Sequence, residues 1–232
     1  MKNLGSLVGA ENNSEWIDLA VNFLITRIET GTSKKDKFNI ALSGGNSPKA
    51  IFQKINSDYS KSINWEKVNF FWIDERWVPK ESEESNSGNA IRILKDISAN
   101  FYQMQTESDN PKISAKNYEL LIKEKIESKN GVPVFDLVLL GMGEDGHIAS
   151  LFPETDAIQE TQHLVVSNYV PKLSEDRLTV TFPVLKSALE TLIIIKGEKK
   201  VDILKGIISE NIGLPISSFF ENNNNKKTWI YI

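Results

Sequence analysis

Leu137 to Leu140 is an unbroken apolar run that stops at a glycine. Over the next seven residues the chain passes Gly141, Gly143 and Gly146 and reaches His147, within the stretch FDLVLLGMGEDGHIASLFP from Phe135 to Pro153. A short apolar run bounded by glycines is a buried strand entering a tight turn. An imidazole fixed beyond the carboxyl end of such a strand is placed for proton transfer near neutral pH. A glycine turn that holds a histidine by chance is the competing reading of this stretch.

Two other apolar runs end in the same abrupt way. Phe38 to Leu42 runs into Ser43-Gly44-Gly45, followed by Ser47-Pro48 as N-cap and first residue of a helix through about Ile55. Val68 to Ile73 runs into DERWVP, Asp74 to Pro79. Around these strands the 3.6-residue period predicts helices. Trp16, Ile17, Ala20, Val21, Leu24, Ile25 and Ile28 share one face of a helix from Ser14, its expected N-cap, to Ile28, with Gly31 and KKDK as the loop after it. Further helices are expected near Asn89–Lys95, over Pro111–Lys129, over Pro183–Ala188 and over Glu198–Ile208. Strands are expected at His163–Ser167, Arg177–Phe182, Leu192–Ile195 and Trp229–Ile232, with a polar turn at Asn222–Asn225. Strands alternating with helices predict a three-layer α/β fold with a mainly parallel sheet flanked by helices. In such sheets ligands bind beyond the carboxyl ends of the strands, near a topological switch. If the three strands are parallel neighbours, SGGNSP, DERWVP and GMGEDGH meet in one cleft.

Each stretch has a chemical reading and a structural one. Ser43, Gly44 and Gly45 let backbone N–H groups approach an anion at a helix N-terminus, or they form a plain tight turn. They match neither the GxGxxG fingerprint nor the P-loop, so neither NAD nor ATP is inferred. Asp74-Glu75-Arg76 puts three ionisable residues where a neutral turn is usual. Arg76 can grip a phosphate or carboxylate through its planar fork, or the three can be an ion-pair cluster at a strand edge. Arg177, at the start of a strand, and Lys199-Lys200, after Gly197, can add positive charge to the same cleft or remain solvated. His163 is assigned no role.

Composition narrows the classes. Two histidines and no cysteine exclude disulfides and argue against a zinc site of the usual ligand types. A net charge of −4 gives nucleic-acid binding little support. No apolar run approaches the roughly 18 residues that span a membrane. The first thirteen residues lack the apolar segment of a signal peptide, so a cytoplasmic protein is expected.

With these residues in place, the chain resembles the 6-phosphogluconolactonases related to glucosamine-6-phosphate deaminases. The similarity rests on ALSGGNSP, FFWIDERWVP, the Ser85-Asn86 pair, FDLVLLGMGEDGHIASLFP, RLTVTFPVL (Arg177 to Leu185) and GEKK (Gly197 to Lys200), in that order over most of the chain. The resemblance implies a single Rossmann-like domain over residues 1–232. It also implies hydrolysis of 6-phospho-D-glucono-1,5-lactone, a step of the oxidative pentose phosphate pathway, with no metal or organic cofactor. The implied partner is a small sugar-phosphate lactone, with neither nucleic acid nor membrane. Under this reading His147 is the general base for water, and Asp74 and Asp145 orient it or the basic groups. Ser43, Gly44, Gly45, Arg76, Arg177 and Lys200 hold the phosphate, with glycine-turn N–H groups around the oxyanion. The sister deaminases are the alternative, with a non-catalytic sugar-phosphate sensor behind them. Deaminases typically carry Tyr at the place of Arg76 and a carboxylate at the place of Phe152, so both residues favour the lactonase. Lactonases of this type usually begin with a short strand, for which this chain offers only Leu4, Leu7 and Val8.

Overall fold

The computed structural model describes residues 5–108, 110–210, 213–221 and 227–232. Seven strands form one parallel sheet. In spatial order they are β1 (Ser6–Val8), β12 (Lys227–Tyr231), β11 (Glu190–Ile194), β8 (Leu137–Gly141), β2 (Phe38–Leu42), β3 (Val68–Trp72) and β5 (Asn100–Tyr102). The short first strand does form: Ser6, Leu7 and Val8 pair with Trp229, Ile230 and Tyr231. The chain works outward from β2 through β3 to β5, and outward from β8 through β11 to β12. The direction therefore switches between β2 and β8.

Continuous apolar strands are needed because both faces of this sheet are covered. Along β8, Leu137 and Leu139 enter one core, and Val138 and Leu140 enter the other. The first core lies under α1 (Asn13–Lys34), α2 (Asn46–Tyr59) and α3 (Asn86–Ile93). The second lies under α4 (Pro111–Lys125), α5 (Phe182–Ser187), α6 (Glu198–Glu210) and α7 (Pro215–Phe220). On that second side sits a three-stranded antiparallel sheet, β4 (Asp74–Arg76), β10 (Glu175–Val180) and β9 (Val165–Val170). A small hairpin, β6 (Ser128–Lys129) and β7 (Val132–Pro133), follows α4. The expected layered α/β architecture with a parallel sheet is the one observed.

Several expected boundaries shift, each for a local reason. Helix α1 is capped by Asn12, whose side chain accepts from the Glu15 N–H, so Ser14 lies inside it. It also runs through Gly31 to Lys34. Gly31 is a packing glycine inside the helix and not a breaker, since a Cβ there would lie 2.1 Å from the Phe38 ring. Helix α2 is capped by Gly45 instead of Ser47. Helix α3 starts at Asn86, three residues before the expected start, with Ser85 as a side-chain cap. Helix α4 stops at Lys125, where the sequence pattern extends it to Lys129. Asp74–Arg76 is a strand of the second sheet and not a turn after β3. The turn expected at Asn222–Asn225 lies outside the described residues.

Candidate active site

The three expected stretches meet. Strands β8, β2 and β3 are parallel neighbours, and a cleft of about 200 Å³ opens at their carboxyl ends, beside the switch. Ser43, Gly44, Gly45, Asp74, Arg76, His147 and Lys200 line it. Asp145 and Arg177 do not. Asp145 stands behind the histidine, and Arg177 lies across the strand pair from Arg76.

His147 is held from several sides. Its Nδ1 lies 2.5 Å from Asp145 Oδ1, and its carbonyl accepts from the Gly143 N–H at 2.9 Å. The Phe152 ring stacks on the imidazole with centroids 4.0 Å apart. Both turn glycines are required. A Cβ on Gly143 would lie 2.1 Å from the imidazole, and Gly146 has φ +72°. Burial pushes the imidazole down to about 4; Asp74 opposes this, while Lys200, Arg177 and Arg76 reinforce it. At neutral pH the ring is therefore an uncharged base. Its Asp145 bond occupies Nδ1 and leaves Nε2 for chemistry.

Asp74 is buried at the cleft wall. Its Oδ2 accepts from Ser150 Oγ at 2.8 Å, while its Oδ1 has no partner among the described residues. Its neighbour Glu75 turns the other way. The Glu75 carboxylate accepts from the Asn86 and Ser87 N–H groups at 2.6 and 2.8 Å and from Ser87 Oγ at 2.7 Å. Glu75 is thus a cap for α3, and burial pushes its carboxyl up. In the DER triplet Glu75 is thus structural, as a helix cap and not as the expected ion pair, while Asp74 and Arg76 line the cleft.

The cationic side is built by strand register. On adjacent antiparallel strands Arg76 and Arg177 are directly paired. Like charges in that position repel unless an anion joins them. Arg177 is buried, and its Nε has no partner among the described residues. Burial and then Arg76 push its guanidinium down. Arg76 is fixed through Nη1 to the Glu84 carbonyl at 2.7 Å. Lys200 enters the cleft from the first turn of α6.

Opposite them, Gly45 has φ +90°, and no side chain caps α2. The first-turn residues Asn46 and Ser47 line the cleft, so this helix N-terminus is open to an anion. The N–H groups of Gly143 and Gly146 are already bonded, to the His147 and Gly143 carbonyls, which removes those two as oxyanion donors. Asn86 and Ser150 escaped assignment in the sequence. Asn86 lines the cleft, donates to the Asp74 carbonyl at 3.1 Å, and packs where a Cβ on Gly44 would be. The Ser85-Asn86 pair was a visible signal for it; nothing in the sequence marks Ser150.

An α/β sheet with paired arginines and an open helix N-terminus, beside a neutral, braced histidine, is an arrangement suited to an enzyme acting on an anionic small molecule. The chain belongs to the glucosamine-6-phosphate isomerases/6-phosphogluconolactonase family, whose model matches residues 11–229. It is 40% identical over 195 residues to a 6-phosphogluconolactonase of Chlamydia pneumoniae, covering 84% of this chain and 74% of that protein. A 6-phosphogluconolactonase of Nostoc is 35% identical over 187 residues, 78% of this chain and 75% of that one. Among solved structures, the 6-phosphogluconolactonase from Trypanosoma cruzi superposes with a TM-score of 0.88 at 27% identity, covering 100% of this chain and 95% of that one. The enzyme of the same name from Thermotoga maritima gives 0.83 at 28% identity, covering 97% and 98%.

Proposed function

We propose that this chain hydrolyses 6-phospho-D-glucono-1,5-lactone to 6-phospho-D-gluconate in the pentose phosphate pathway. Family membership and the names of its relatives support lactone hydrolysis. The observation that carries the detailed reading is the neutral His147, braced at Nδ1 by Asp145, in a cleft lined on its other side by Arg76, which Arg177 backs from the paired strand.

The substrate phosphate sits between the α2 N-terminus, with Ser43, Gly44 and Gly45, and the cations Arg76, Arg177 and Lys200. Fixing the phosphate sets C1 of the lactone against the histidine, so remote binding energy serves orientation. Water attacks C1 while Nε2 takes its proton. The tetrahedral oxyanion collapses, the bond from C1 to the ring oxygen breaks, and the imidazolium returns the proton to that oxygen. Asp145 stabilises the imidazolium, and Asp74, at the cleft wall, orients the basic groups or a substrate hydroxyl. General base catalysis of this type contributes about 10²–10⁴-fold. Phe152 packs flat on the imidazole where the ring-opening deaminases would need a carboxylate, which favours the lactonase over its sister activity.

The test is a lactonase assay on freshly generated 6-phosphogluconolactone, corrected for spontaneous hydrolysis. His147→Ala is expected to lower kcat at least about 100-fold with KM little changed. Near-normal turnover in that variant would remove His147 as the base. Ammonia release from glucosamine 6-phosphate would favour the deaminase.

A further inference from the structure

The polar turn between β9 and β10, residues 171–174, carries no role in the proposed reaction, yet it reaches the catalytic cluster. Pro171–Leu173 form one 3₁₀ turn, closed by Ser174 in the left-handed region at φ 53°. This turn delivers Lys172 to the back of His147. Lys172 Nζ is bonded to Asp145 Oδ2, the carboxylate oxygen that the imidazole leaves free. The same ammonium stands 4.7 Å from the centre of the Phe152 ring, whose face stacks on the imidazole. Lys172 thus touches both groups that brace His147, while its side chain stays half exposed. The next strand, β10, carries Arg177 into register with Arg76. One short segment therefore supports the base and the anion site together.

We propose that Lys172 is a positioning residue for the hydrolysis, gripping Asp145 and Phe152 so that His147 keeps one ring orientation and one tautomer. This rests on His147 being the base. The physical role is twofold. A carboxylate held at both oxygens cannot swing away from Nδ1, so Nε2 stays aimed at the cleft. A carboxylate already paired with an ammonium also stabilises imidazolium less than a bare one. His147 then remains a base that surrenders its proton readily to the leaving ring oxygen. The other charges facing the ring are Asp74 and Arg76 from β4, Arg177 from β10 and Lys200 from α6, and a change at Lys172 leaves all four in place.

The experiment is a histidine-selective NMR titration of the full chain alongside steady-state kinetics. The chain has two histidines, and His163→Gln assigns the signals. In Lys172→Met the bare Asp145 favours imidazolium, so the His147 midpoint moves to higher pH. Its kcat falls about tenfold, with KM within about twofold. Lys172→Arg keeps the charge on Asp145 and restores both values. In an Asp145→Asn background, Lys172→Met has no further effect on the midpoint. A His147 midpoint unmoved in Lys172→Met, or moved equally in Lys172→Arg and Lys172→Met, overturns the proposal. The titration reads the contact whether or not His147 is the base, whereas failure of that assignment is seen separately as retained turnover in His147→Ala.

Discussion

At the scale of single residues, the site depends on atoms that are missing as much as on those present. Gly44 has no Cβ because Asn86 occupies its place, with Cγ and Oδ1 2.0 Å from where that carbon would be. Gly44→Ala therefore pushes the proposed phosphate turn and Asn86 apart. A KM increase of about tenfold, equivalent to about 1.4 kcal/mol, with a smaller change in kcat, is expected in steady-state assays. The charge around His147 gives a second prediction. In the free protein the imidazole titrates near 4, so the neutral form persists at neutral pH and is lost as pH falls through that value. A bound phosphate offsets Lys200, Arg177 and Arg76, all of which favour the neutral ring. Adding 6-phosphogluconate should raise the His147 midpoint in an NMR titration, and a midpoint that stays put would mean the phosphate binds elsewhere. The residues that cause this were largely legible in the sequence. Glycines and ionisable groups straight after apolar runs are conspicuous, which picked out Ser43, Asp74, Arg76 and His147. Lys172 and Ser150 were not legible, because each acts through a partner far away in sequence, Asp145 and Asp74 respectively.

At the scale of elements, Glu75 decides where α3 begins. Its carboxylate takes up N–H groups of the first turn that would otherwise be orphaned in a buried setting. Glu75→Ala leaves several donors unpaired and should cost about 2–3 kcal/mol. That corresponds to a fall in Tm of roughly 4–12 °C for a chain of this size, measurable by calorimetry. Because α3 also carries Asn86 into the cleft, KM should rise in the same variant. A Tm within a degree of the parent would show that the cap is dispensable. This tie explains the misplaced helix start, since periodicity shows the apolar face of a helix and not a distant carboxylate that satisfies its end. The same limit applies to β4. Three charged-looking residues give no strand pattern, and only pairing with Arg177, Leu178 and Thr179 makes them one. The strand β5 and the six-residue α7 were too short to leave a period. By contrast β2, β3, β8 and β11 were legible because burial on both faces requires unbroken apolar runs.

At the scale of the whole molecule, β8 couples two cores through alternate side chains. Leu139 belongs to the core under α1–α3, which also holds Trp16, Trp65 and Trp72 with Trp229 against it. Leu140 belongs to the opposite core, which packs the second sheet and the residues flanking His147. Both leucines are fully buried, so truncating either to alanine should cost about 2–5 kcal/mol. If residues 1–232 form one cooperative domain, the layer that is damaged should not matter. Tryptophan fluorescence mainly reports the first layer, whereas far-UV ellipticity reports helices on both sides. In urea, Leu140→Ala should lower the two midpoints by the same amount, although most of the tryptophans lie across the sheet from the lesion. Leu139→Ala should do likewise. The proposed phosphate cradle rides on the first layer, through α2, and the histidine and arginine supports ride on the second. A split between the two transitions would mean that these halves of the cleft can come apart before the chain unfolds, and activity would then be lost at the earlier one.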